Sequence, residues 1–367
     1  MIIKTITCHD VYNVGASLQA YALAEYLRQQ GHDVEIIHYK PDYLSNHYSL
    51  WGVANSRYDR PFLREMYLLA KLPGRLKAKY GKRKRDFDAF TREMLPITER
   101  RYASNEELKN APPEADVYFA GSDQIWNTFF SNGKDPAFYL DFVPENKIKA
   151  SYAASFATES LPEEWKGQIK EWLSELDYIS VRESSGVEIC RDMGLVEAVQ
   201  VMDPVFLLSD RDWQRIEKPL NLAESYLLIY DFDRNPEMKK YVKRIAEKNN
   251  WKIYSVLSCD YADRCFTREG PAAFLSLIRN AEFVVSNSFH ATAFSLIFHK
   301  QFVVFNRNEG INTRMRDLAQ LAGIQERLIS DPDSDLQDIN YAVVDEKLGT
   351  AIGKSKAFIE LVLGSVK

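Results

Sequence analysis

The 367-residue chain suits two α/β domains or one large one, and 46% of it is apolar, enough to bury real cores. A formal net charge of −5 with no long basic stripe argues against nucleic acid as a partner. The four cysteines, Cys8, Cys190, Cys259 and Cys265, have neither zinc nor disulfide-framework spacing; no apolar run reaches transmembrane length and no signal peptide opens the chain, so a soluble, cytoplasmic protein is expected.

In chain order, the first unit reads strand, loop, helix, strand. Residues 2–8 form an apolar strand leading to Asn13–Val14–Gly15–Ala16, a helix follows over 16–30 with Leu18, Tyr21, Ala22 and Tyr26 at helical spacing, and Val34–Ile37 starts a second strand. Residues 42–60 lack periodicity and read as a loop; 61–95 read as helical, broken at Pro73–Gly74. The basic cluster Lys77–Arg85 reads either as a solvated helix face or as a surface for anionic lipid headgroups or a phosphorylated acceptor, which would bring the protein to the inner face of the membrane. Strands at 116–120, 148–153, 177–181 and 198–202 alternate with helices at 162–175 and 184–193 until Asp203–Pro204 breaks the pattern. A second series follows, with strands at 225–231, 252–257, 282–286 and 301–305, helices at 236–249, 271–280, 288–299 and 311–322, and a last amphipathic helix at 345–363. The expected fold class is α/β: two doubly wound Rossmann-like domains, 1–203 and 204–367, facing a cleft. Ligands in such sheets sit at the carboxyl ends of the strands.

Three motifs fall at such ends. Phe283–Phe294 runs from a strand through Ser286, Asn287 and Ser288 into a helix with His290 in its first turn. Free N–H groups at a helix start attract anions, the hydroxyls of Ser286, Ser288 and Thr292 can add donors, and His290 can move a proton. The competing reading is that Ser288 caps the helix and His290 fills space. Gly121–Ser122–Asp123–Gln124–Ile125–Trp126–Asn127 crowds donors and acceptors beside one tryptophan, a set suited to a sugar, or else a capped turn with Trp126 in the core. Asn13, Gly15 and Gln19 occupy a third junction; a single glycine there is not a dinucleotide fingerprint, and no cofactor or metal is expected. Arg182 ends another strand and can fork onto a carboxylate or phosphate, or pair with Glu183 or Asp203. Arg314 and Arg316 open a later helix as a second candidate anion clamp.

Asn13–x–Gly15–Ala16–x–Leu18–Gln19–Ala20–Tyr21–Ala22–Leu23, Gly121–Asn127, Ser151–Phe156, Val181–Arg182–Glu183, Asp203–Pro204 and Ser288–Ser295 occur in this order. Over about residues 1–330 the chain resembles the bacterial polysaccharide pyruvyl transferase family. The resemblance implies an architecture similar to glycosyltransferase-B. It implies transfer of an enolpyruvyl-derived group from phosphoenolpyruvate to a sugar, on a lipid- or nucleotide-linked precursor of a cell-surface polysaccharide, giving a pyruvate ketal. It also implies that Arg182 and His290 meet the donor. Relatives carry an arginine where this chain has Ser288, so another cation must supply that charge; Arg314 and Arg307 are the candidates. The expected donor set is Arg182, Ser286, Asn287, Ser288, His290, Thr292 and Arg314. The expected acceptor set is Asn13, Gly15, Gln19, Ser122, Asp123, Gln124, Trp126 and Asn127, with Asp123 as base. The alternatives are a glycosyltransferase with a nucleotide-sugar donor and a non-catalytic sugar-binding protein.

Overall fold

The computed structural model describes residues 1–44, 61–307 and 313–366. Its first sheet holds β1 (Ile2–Ile6), β2 (Asp33–Tyr39), β3 (Ile97–Tyr102), β4 (Val117–Ala120) and β5 (Ile148–Ser151) in the spatial order β3-β2-β1-β4-β5, all parallel. A short parallel pair, β6 (Ser180–Val181) and β7 (Val199–Gln200), is tied to it by bridges from Ala150 to Tyr178 and from Ala154 to Val181. The second sheet holds β8 (Tyr226–Tyr230), β9 (Lys252–Ser255), β10 (Arg264–Cys265), β11 (Phe283–Ser286), β12 (Gln301–Phe305) and β13 (Leu328–Ile329) in the order β10-β9-β8-β11-β12-β13, again parallel. Each sheet reverses its winding once, between β1 and β4 and between β8 and β11. Those reversals open the crevices in which doubly wound sheets hold ligands.

Both faces of each sheet are buried, as parallel sheets require. Side chains alternate along β4, so Val117 and Phe119 join the core cluster filled by α1 (Val14–Gln29), while Tyr118 and Ala120 join the cluster on the opposite face. The second sheet repeats this, with Leu228 on one side and Leu227 and Ile229 on the other. The α1 cluster also reaches into the second half: Tyr21 packs on Trp213 with ring centroids 5.7 Å apart, and Trp213 meets Phe294 edge-on at 4.8 Å. The two halves therefore share one core, which fixes the crevices opposite each other.

The structure differs from the sequence expectation in several places, of which four bear on its architecture. The helix α2 (Pro61–Lys79) runs through Pro73; the break falls at Tyr80–Gly81, before α3 (Lys82–Met94). An exposed helix tolerates the lost N–H of an internal proline better than a packed one, because water takes the freed carbonyl. The strand β3, with Glu99, Arg100 and Arg101 exposed on the sheet edge, was hidden by its polarity. The segment after 203 is no plain linker: it holds a 3₁₀ turn at Pro204–Leu207 and α7 (Asp210–Ile216), started by a Ser209–Asp212 capping box. The last helix, α12 (Tyr341–Gly364), starts four residues earlier than expected, at an Asn340 cap, and reaches back to the first half, where Ser355 Oγ accepts from Met202 N. The expected loop at 42–60 lies mostly outside the described residues.

Candidate active site

A pocket of about 170 Å³ opens where the two crevices face each other. Asn13, Val14 and Gly15 line it after β1, and Asp123 and Gln124 after β4. From the second half come Tyr230 and Phe232 after β8, Asn287 to His290 after β11, and Phe305 and Arg307 after β12. Arg314 and Met315 enter from the first turn of α11 (Thr313–Ala322). The starts of α1, of α10 (Phe289–Ile297) and of α11 all line this one pocket. Three helix N-termini turned on one space favour an anion there.

Behind the wall lies a buried charge cluster. Arg182 donates from one Nη to Asp203 Oδ2 at 2.6 Å and from the other to Asp123 Oδ1 at 3.1 Å. Its side chain is only 1% exposed. The ring of Phe289 covers it, 4.9 Å from the guanidinium, and also faces Arg314 at 5.8 Å. Arg182 was expected to meet a ligand directly; the structure instead places it behind Phe289, committed to two carboxylates. Asp203 also accepts from Val205 N, so one residue both caps the 3₁₀ turn and anchors the cluster. Burial alone would raise its pKa, but His290 and Arg182 hold it far below the usual carboxylate range.

His290 stands at the seam. Its Nε2 lies 3.6 Å from Asp203 Oδ2, too far for a hydrogen bond, and is buried without a hydrogen-bond partner. The contact with Asp203 is electrostatic. Its Nδ1 sits 2.0 Å from where a Cβ on Gly15 would stand. Only a residue without a side chain lets α1 approach the imidazole this closely.

Asp123 occupies the left-handed region at φ 72°, an unusual backbone for a non-glycine residue and one that clusters at functional sites. Gly121 before it has φ 127°, and a Cβ there would lie 2.2 Å from Tyr152 O. Burial raises the pKa of Asp123, yet Arg182, His290 and Arg314 outweigh it and leave the group below its ordinary value. That weakens the expected base and keeps the group an ionised hydrogen-bond acceptor. Arg314 is the more weakly paired arginine: its Nε, like that of Arg182, is buried without a hydrogen-bond partner, and its closest approach to Asp123 is 3.9 Å. Burial and the neighbouring Arg182 push its pKa down to about 10, so it remains a cation at neutral pH.

Of the expected site residues, Asn13, Gly15, Asp123, Gln124, Asn287, Ser288, His290 and Arg314 line the pocket. Gln19, Ser122, Trp126, Asn127, Arg182, Ser286 and Thr292 do not, because each is consumed in holding a loop. Gln19 donates to Thr7 Oγ1 and Ala16 O and accepts from Ser122 N, and Ser122 Oγ donates to Ala153 O. Asn127 donates to Gln124 Oε1. Ser286 Oγ accepts from Ser288 N and donates to Tyr230 O, Ser288 Oγ accepts from Ala291 N as the helix cap, and Thr292 Oγ1 donates to Ser288 O. The hydroxyls expected to bind an anion are thus loop fasteners, and with Ser288 N and Ala291 N taken up by Ser286 and Ser288, the N–H groups of Phe289 and His290 are those left at the helix start. Asn287 likewise accepts from Phe232 N and donates to Asp231. Arg316 pairs with Glu159 on the surface, away from the pocket.

Trp126 needs correction. It is fully buried, stacked on Tyr139 with planes 7° apart, and its Nε1 donates to Phe138 O. No face is left for a sugar. Trp126→Ala is therefore expected to cost about 3–5 kcal/mol of stability; a denaturant titration showing a loss below 1 kcal/mol would contradict this packing. Two features were not anticipated. One is Phe289 as cover of the arginines. The other is an aromatic wall of Tyr230, Phe232, Phe274 and Phe305, with Arg307 stacked 4.9 Å over Phe232 and bonded to Asp233.

The paired parallel sheets with a cleft at opposed switch points define a glycosyltransferase-B-like protein. A UDP-GlcNAc 2-epimerase from Methanocaldococcus jannaschii, solved with UDP-GlcNAc and UDP, superposes with a TM-score of 0.51 at 12% identity, covering 99% of each chain. A glycosyltransferase from Rickettsia africae gives 0.47 at 10% identity over 99% of each chain. At 12% identity the likeness to the epimerase concerns the fold alone. A search of curated protein sequences returned no significant match. The family model for polysaccharide pyruvyl transferase matches residues 13–309, most of the chain, and the protein belongs to that family.

Proposed function

We propose that this protein transfers the enolpyruvyl-derived group of phosphoenolpyruvate to two hydroxyls of a sugar on a polysaccharide precursor, forming a pyruvate ketal and releasing phosphate. The observation that carries the reading is an under-paired buried arginine, Arg314, beside a histidine in a pocket that three helix N-termini line, within a chain of this family. In the reaction C3 of the enol gains a proton, C2 accepts a sugar hydroxyl, phosphate leaves with the C–O bonding pair, and a second hydroxyl closes the ring at C2.

Residues 204–367 form the donor side in this reading, and 1–203 the acceptor side. Arg314, with the N–H groups at the start of α10, holds the donor's anionic groups, taking the place of the arginine that Ser288 lacks. His290 is the acid toward C3. Asp203 faces its Nε2 side at 3.6 Å, so Nδ1, on the Gly15 side, is the nitrogen assigned to proton transfer. Asp123 and Gln124 orient the sugar hydroxyls.

Arg314→Gln is expected to weaken phosphoenolpyruvate binding by about 1.5–3 kcal/mol, the range for a hydrogen bond to a charged group. Isothermal titration with unchanged affinity would remove Arg314 from the donor site. The reaction class is tested by thermal shift with phosphoenolpyruvate, UDP-sugars and inorganic phosphate in parallel. Selective stabilisation by phosphoenolpyruvate is expected; selective stabilisation by a UDP-sugar would favour a glycosyltransferase, to which the aromatic wall could offer a base-stacking surface.

A further inference from the structure

The helix α2 and the residue after it carry four of the exposed large apolar side chains among the described residues, Met66, Leu69, Leu76 and Tyr80. From Arg64 to Tyr80 no residue is buried. Met66, Leu69, Pro73, Leu76 and Tyr80 recur at three- and four-residue steps, which brings them to one face. Met66 is 56%, Leu69 69% and Tyr80 65% exposed. A helix of this length with proline and glycine inside is marginal in water without a packed face. Its apolar stripe therefore calls for a cover.

Charge selects the cover. Between Arg64 and Lys79 five basic residues stand against one acid, Glu65. The basic cluster read from the sequence divides here. Lys82 pairs with Asp86 and Glu269, Arg83 donates to Tyr12 O, and Lys84 pairs with Asp88, so these three are held within the protein. Of the charges before them, Arg64, Lys71 and Lys77 are exposed. Two copies of this helix would repel each other, whereas an anionic bilayer meets both the stripe and its flanks.

We propose that α2 docks the protein on an anionic lipid surface, with the apolar stripe in the acyl boundary and the basic residues among the headgroups. No helix of the described residues is long and apolar enough to cross a membrane, so this contact would be peripheral. The position of α3 gives it a use. Arg83, four residues beyond α2, is bonded to Tyr12 beside pocket residue Asn13, so docking sets the cleft near the headgroups. In the ketal-forming reading, that suits an acceptor carried on a lipid; the docking itself does not rest on that reading.

The test is flotation of the full-length protein, without donor or acceptor, on neutral phosphatidylcholine vesicles and on vesicles that also carry phosphatidylglycerol. Binding to the anionic vesicles, weakened by raised salt, is expected, with little on the neutral ones. Met66→Ser with Leu69→Ser, and separately Lys71→Glu with Lys77→Glu, should each lower the bound fraction by about tenfold or more. Because these side chains are exposed, circular dichroism and melting should match the wild type. Three results would overturn the proposal: no binding to anionic vesicles, equal binding to neutral ones, or folded variants that bind like wild type. Sedimentation showing a dimer that Leu69→Ser dissociates would assign the stripe to a second copy instead. Loss of phosphoenolpyruvate binding with vesicle binding intact would refute the donor reading and leave the docking standing.

Discussion

Replacing Arg182 with alanine is expected to destabilise the protein by about 3–5 kcal/mol, the cost of stripping one partner from a buried ion pair. The large value follows from what remains. Asp203 has no exposed side-chain surface and would keep its charge with only His290 nearby at 3.6 Å. Asp123 would keep Arg314, at 3.9 Å. The double variant Arg182→Met with Asp203→Asn should recover part of the loss, because the uncompensated charge disappears. Acid sharpens the test. Asp203 has a depressed folded-state pKa, so its stabilisation is present above the ordinary carboxylate value near 4 and is lost as pH falls through the folded value. Removing Arg182 moves that folded value up, and the acid transition of the variant should begin at higher pH than in the wild type. A direct donor ligand predicts otherwise: lost donor affinity with normal urea and acid midpoints.

The positions of the motifs were legible in the sequence, and the duties of their residues were not. Strand–helix alternation placed 13–19, 121–127 and 286–292 at strand ends, and parallel sheets send those ends into one cleft. Within each motif, however, the same residue types both line the pocket and hold it in shape. Gln19 and Ser122 have the chemistry of sugar ligands but are spent on the scaffold, Gln19 on Thr7, Ala16 O and Ser122 N, and the Ser122 hydroxyl on Ala153 O. Ser288 does what a serine before a helix does, which local sequence could state but could not weigh against anion binding. Trp126 misled because an aromatic beside polar residues resembles a sugar platform; its stacking partner Tyr139 lies thirteen positions on, outside any local pattern. Asp203 read as a break in periodicity and as one of two candidate partners of Arg182; the fold selects it and also brings it against His290. Phe289 offered one usable signal, a large apolar residue at a helix start between two polar ones.

In the proposed reading Arg314 takes the place of the arginine that position 288 lacks. Arg314 comes from a different helix, 26 positions on in the sequence, yet lines the same pocket beside Ser288. Its neighbours compete over it. Arg182 repels it, Asp123 is too distant to bond, and burial makes its charge costly; in the proposed reading this leaves it open to an incoming anion. A ligand phosphate or carboxylate would relieve that cost, and binding would gain from an arginine that the unliganded protein leaves under-satisfied.

His290→Ala is expected to lower turnover by about 10²–10⁴-fold, the usual worth of a positioned general acid, with a folded protein of near wild-type secondary structure. Gly15→Ala is expected to reproduce much of that loss without touching any titratable group. Alanine is the better helix former by about 1 kcal/mol, so propensity alone predicts a harmless or stabilising change. Geometry predicts the opposite for activity, because the new methyl would stand 2.0 Å from His290 Nδ1 and the ring must swing away from the pocket. The two changes should not add. In the His290→Ala background the space for the methyl already exists, so Gly15→Ala should cost nothing further in turnover, whereas independent sites would multiply their losses. Product formation per folded molecule in all four proteins decides it. Full activity in Gly15→Ala would mean that the imidazole works from another position, and a multiplied loss in the double variant would mean that Gly15 serves the substrate and not the histidine.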